Sequence, residues 1–132
     1  MNGLEIKLLN FEKALIKLKE AVEESKKNEV SDIIRDGMIQ RFELTFELAW
    51  KATKEYLEDL GITDKNSPKV AMREAFAQNL IENQDVWILM INDRNLTAHV
   101  YNEETAVEIG NRIKNTYLLA FEMLLIELKN EK

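Results

Sequence analysis

A chain of 132 residues with 45% hydrophobic and 32% charged side chains can bury one core, which predicts a single soluble domain over residues 1–132 rather than a disordered tail. Its 4 Gly and 1 Pro supply little turn chemistry for an all-β fold, and the lack of cysteine removes disulfides and thiolate metal sites. A net charge of −6 argues against binding nucleic acid over the whole surface, while leaving room for a small basic cleft or a basic partner.

No apolar stretch reaches the length of a membrane span. The opening "MNGLEIKLLNFEK" becomes charged too early for a secretory signal. A cytoplasmic protein without a membrane partner is expected. No internal repeat or linker divides the chain.

The first helix is expected over about residues 4 to 25, where Leu8, Phe11, Leu15, Leu18 and Val22 recur at spacings of three and four. "SKKNEVS" interrupts it, and Ser31 then stands where an N-cap belongs, with Asp32 at the positive end of the next helix. That second helix, Asp32 to Leu60, ends at Gly61. Its polar residues Asp36, Gln40, Glu43, Glu47, Lys54 and Glu58 fall on one narrow line, and Glu47 pairs with Lys51 at i,i+4. The rest of its circumference, including Met38, Phe42, Phe46, Ala49, Trp50 and Leu57, is apolar. So wide an arc predicts contacts on two sides, with several helices or with a second subunit.

Ser67 as N-cap and Pro68 at the first helical position start a short third helix that ends near Asn79. The fourth begins around Gln84; its run "VWILMI" has no polar face and predicts a buried helix in preference to a strand. The last begins after Asn102 with Glu103 and Glu104 in its first turn, and carries a sustained stripe from Ala106 through Ile109, Ile113, Tyr117 and Phe121 to Leu128. Gly110 within that stripe costs helix propensity and predicts a close helix approach. The fold class is therefore all-α: an antiparallel four-helix bundle with one additional short helix.

The joint between the fourth and last helices, "NDRNLTAHVYNEE", holds the chain's single histidine. Along an ideal helix Arg94 and His99, five residues apart, point roughly 140° away from each other. They converge only if the helix breaks between them or if two chains meet. Asn95, Thr97 and Asn102 compete for backbone hydrogen bonds and Thr97 and Val100 are β-branched, so a break is expected.

Arginine beside histidine suits phosphate chemistry. A guanidinium forks onto phosphate oxygens and stays charged, while an imidazole exchanges protons near neutrality. The pair could cleave RNA without metal, His99 taking the ribose 2′-OH proton and Arg94 stabilising charge on the phosphorane. One histidine does not serve well as both base and acid; a two-fold dimer supplies a second, and the apolar arc of the second helix offers the surface. The plainer alternative is a histidine that only makes a structural hydrogen bond.

Other candidates carry less. Glu43 and Glu47 lie one turn apart, as metal ligands can, yet no histidine accompanies them and a solvated face is the expectation. Trp50 and Trp87 read as core rather than base-stacking residues, and Lys65, Lys69 and Arg73 as solvated surface rather than a phosphate site. With no glycine-rich phosphate loop, Ser–His–Asp set or zinc pattern, neither metal nor cofactor is expected.

"RNLTAHVY" resembles the R-x4-H-x-Y signature of the HEPN superfamily, specifically the HepT-type toxins. "RFELTFELAWK" and "HVYNEETA" resemble the related nucleotidyltransferase substrate-binding proteins, and the similarity runs over nearly the whole chain. The resemblance implies a HEPN-like bundle, a homodimer with both motifs near its cleft, and a minimal nucleotidyltransferase partner encoded alongside. By the same resemblance Arg94 and His99 are ribonuclease residues and Asn95 a positioning group. Tyr101 is the acceptor that the partner modifies with AMP to silence the toxin. Charge and bulk added there would occupy the place of an RNA phosphate. The family also supports an alternative, a non-catalytic subunit that binds substrate for the nucleotidyltransferase. A purely structural bundle is the third reading.

Overall fold

The computed structural model describes residues 2–28, 31–62, 66–99 and 102–130, with the backbone alone at position 99. Tyr101, Val100 and Lys65, named above, lie outside the described residues. The elements are α1 (Gly3–Lys27), α2 (Asp32–Asp59), α3 (Pro68–Ala77), α4 (Gln84–His99), α5 (Glu103–Arg112), a π-helical turn (Ile113–Tyr117) and α6 (Leu118–Asn130). The last three run on without interruption as one long helix, so four long helices and short α3 make the expected bundle. No strand occurs among the described residues, and none of their helices is long and apolar enough to cross a membrane.

Local chemistry accounts for the boundaries. The side chains of Ser31, Ser67 and Asn102 accept hydrogen bonds from the backbone N–H three residues on, at 3.2, 3.3 and 2.8 Å. α2 stops where Gly61 turns to φ 87°, letting Gly61 and Ile62 donate back to Glu58 and Leu57. α3 stops the same way with Asn79 at φ 64°, the short amide side chain tolerating the left-handed conformation.

α2 packs against each of the other helices, so its wide apolar arc is used mainly within one chain. Phe42 stacks on Tyr117 with ring centres 5.5 Å apart, and Phe121 meets Phe11 and Trp87 edge-on at 6.2 and 5.6 Å. Trp87 is core, as expected. Gly110 is buried where α5 meets α2; a Cβ there would stand 3.3 Å from the Met38 side chain, which is the predicted close approach.

Two expectations need correction. α4 is not buried all round: Trp87 and Met90 are, but Leu89 and Leu96 are 42% and 39% exposed. Its apolar run therefore keeps Leu89 exposed among the described residues. Nor does α4 break after Arg94; the helix continues to residue 99. Thr97 is tolerated because its hydroxyl lies 2.9 Å from the Arg94 carbonyl one turn back, within the helix.

Candidate functional site

Arg94 leaves α4 on the side of α2. Its terminal nitrogens lie 3.6 Å from Glu43 and 3.8 Å from Glu47, and its Nε is buried with no hydrogen-bond partner. The Thr97 hydroxyl stands 2.9 Å from Glu43 as well as from the Arg94 carbonyl, and its single proton serves one at a time. Glu47 is shared further: Trp50 Nε1 donates to it at 3.3 Å and Lys51 Nζ lies 3.9 Å away. The two glutamates, expected as a solvated face, therefore flank the arginine and set its direction. All three side chains keep partial access to water, so these ion pairs contribute at most about 1 kcal/mol to stability.

Because α4 is continuous, the backbone of residue 99 lies roughly 140° around the helix from Arg94. One chain does not bring these two positions to a common face. Residue 99 instead continues the outward stripe of Leu89, Asn92 and Leu96, being seven residues beyond Asn92 and three beyond Leu96. Asn95 is exposed, between that stripe and the rest of the outer surface. Among the described residues no three His, Cys, Asp or Glu side chains cluster as metal ligands.

Sequence reasoning missed the buried polar cluster around Asp93 of α4. Asp93, only 2% exposed, accepts a two-pronged hydrogen bond from Arg112 Nε and Nη2 at 2.7 and 2.9 Å, and a third from the Tyr117 hydroxyl. The clue available was an acid on the buried stripe of α4, three residues after Met90, which demands a cation from elsewhere. Arg112 is held protonated, its pKa raised first by the hydrogen bond to Asp93. The Tyr117 phenol is also pushed up, first by burial and then by the hydrogen bond to Asp93.

A raised phenol pKa contributes stability that is complete below the unfolded value of about 10 and is lost as pH rises toward the folded value, because the unfolded chain then binds fewer protons. Urea midpoints of wild type and Tyr117→Phe should thus draw together between pH 8 and pH 11. A gap that stays constant would contradict the assignment.

Comparison with known proteins agrees with this architecture. The family model described as "Nucleotidyltransferase substrate binding protein like" matches residues 6–130. A Haemophilus influenzae protein named "Probable ribonuclease HepT" is 33% identical over 104 residues, 76% of this chain and 70% of its own. A crystal structure from Thermus thermophilus is 37% identical, with a TM-score of 0.79 over 90% of this chain and 98% of that one. A tri-AMPylated Shewanella oneidensis HEPN toxin in complex with MNT antitoxin superposes with a TM-score of 0.80 over 98% of this chain and 99% of that one. At 17% identity, that last likeness speaks for the fold alone. Family model and Haemophilus relative coincide: the chain belongs to the family of nucleotidyltransferase substrate-binding-like proteins that includes HepT.

Proposed function

We propose that the protein is a HEPN toxin of a toxin–antitoxin pair, a metal-independent endoribonuclease that acts as a homodimer in the cytoplasm. Its antitoxin is a minimal nucleotidyltransferase that places AMP on Tyr101. The observation that carries this reading is the exposed stripe of α4. Leu89 and Leu96 are exposed on the outward side of α4 and residue 99 continues their line, while Arg94 leaves the same helix toward α2. A second copy on this stripe buries two leucines and brings both copies of position 99 to one seam. It thereby supplies the second histidine that one chain lacks.

The chemistry is in-line attack by the ribose 2′-oxygen on the adjacent phosphorus. One His99 removes the 2′ proton and Arg94 stabilises the phosphorane. The partner's His99 gives a proton to the departing 5′-oxygen, leaving a 2′,3′-cyclic phosphate and a 5′-hydroxyl. The Haemophilus relative named a probable ribonuclease supports the activity, and the Shewanella toxin, AMPylated and bound to its antitoxin, supports the partner and the modification.

A second reading, the non-catalytic substrate-binding subunit, draws support from Glu43 and Glu47. They already neutralise Arg94, so a phosphate must approach against two carboxylates. Incubating mixed tRNA and mRNA with protein in EDTA separates the two. Mass spectrometry first establishes that Tyr101 carries no AMP. The toxin reading expects cleavage by wild type and none by His99→Ala of equal helicity. Intact RNA with unmodified wild type would leave the binding subunit as the function.

A further inference from the structure

The Asp93 contact does more than join two helices. Successive helical residues point about 100° apart, so Asp93 faces the last helix while Arg94, at the same height, faces α2. α4 is thus gripped on two sides at one level, six residues before its end: by Arg112 and Tyr117 on one side, and by Glu43 and Glu47 on the other. No rotation of α4 preserves both grips.

The π-turn belongs to this arrangement. In an α-helix Arg112 and Tyr117, five apart, would diverge by roughly 140° and could not share one carboxylate. The N–H of Leu118 instead bonds the carbonyl of Ile113, five residues back. That widened turn brings Arg112 and Tyr117 to one face, where both reach Asp93. A buried charge cluster is a poor way to gain stability, since apolar side chains of similar volume do as well or better; it is a good way to fix one rotation of a helix.

We propose that Asp93, Arg112 and Tyr117 are positioning residues that set the rotation of α4 and thereby the aim of Arg94 toward the scissile phosphate. This rests on the ribonuclease reading above for its effect on rate, though not for its effect on Arg94.

The test combines two readouts on full-length protein. The first is the Nε–Hε signal of Arg94 in a nitrogen-15 spectrum, assigned by its loss in Arg94→Lys. The second is steady-state RNA cleavage, expressed per folded molecule, with thermal melts alongside. Tyr117→Phe is the principal variant, because it removes one hydroxyl and keeps the Asp93–Arg112 pair. Arg112→Gln is read against Arg112→Lys, which retains the charge.

In Tyr117→Phe the Arg94 signal should shift and broaden, with kcat down about tenfold and KM within about twofold, the size expected when a reacting group is slightly misplaced. Arg112→Lys should recover part of what Arg112→Gln loses. An unmoved Arg94 signal overturns the proposal whatever the rate, and so does a moved signal with unchanged kcat in an active enzyme. If wild type cleaves no RNA, the ribonuclease reading falls and the Arg94 signal alone decides whether the three residues aim it.

Discussion

Arg94→Ala is expected to slow RNA cleavage by about 10²–10³-fold, the usual loss when one preorganised donor to a developing oxyanion is removed. Its melting curve should hardly move. The side chain reaches Glu43 and Glu47 only at 3.6 and 3.8 Å, and all three groups keep contact with water, so little stability is at stake. Arg94→Lys should recover little activity, because an ammonium supplies a point charge where a fork is needed to hold two phosphate oxygens. Single-turnover cleavage under saturating RNA reads the effect on chemistry. A drop confined to KM would mean that Arg94 binds RNA without stabilising the transition state, and an unchanged rate would remove it from the site.

The reverse pattern, loss of stability first, is expected at the neighbouring position. Asp93→Ala should cost about 3 kcal/mol in urea unfolding, at the low end for breaking a buried ion pair by removing one partner. Tyr117, fully buried, is left with an unsatisfied hydroxyl. Arg112 loses both short hydrogen bonds, but it is 31% exposed and can turn to water and to Glu108, 4.0 Å away. That escape keeps the cost from the upper end of the range. Replacing all three together, Asp93→Leu with Arg112→Met and Tyr117→Phe, should restore most of the loss, since no buried charge then lacks a partner. A cost below about 1 kcal/mol for Asp93→Ala would show that the cluster relaxes freely and holds nothing in place.

These two adjacent residues also show what the sequence discloses. Helix starts were legible because Ser31, Ser67 with Pro68, and Asn102 act on their own next turn, and the apolar stripes named the core. The joint was less legible. Asn95 and Thr97 lower helix propensity, yet α4 runs through them, because the Thr97 hydroxyl finds acceptors in Arg94 and Glu43. Tertiary partners outweighed a local preference of a few tenths of a kcal/mol per residue. Glu43 and Glu47 looked like a water-facing row because nothing in α2 says that an arginine of α4 arrives there. The Asp93 cluster was hidden more thoroughly. Its partners stand 19 and 24 positions away, and the five-residue interval between Arg112 and Tyr117 is not one at which an α-helix places side chains together.

The π-turn has a consequence for the length of the chain. A turn closed at i+5 holds one residue more than the α-helical turn it replaces, so this long helix carries a surplus residue between Arg112 and Leu118. Elsewhere in a helix, losing one residue swings everything downstream through about 100° and carries the core stripe out to water. Here the loss of exposed Asn115 would close an ordinary turn, leaving Arg112 and the tyrosine four apart and still on one face. Relatives one residue shorter at this point can therefore keep the same core and the same grip on the aspartate, and a gap placed there in comparing their sequences marks a change of winding rather than a missing part.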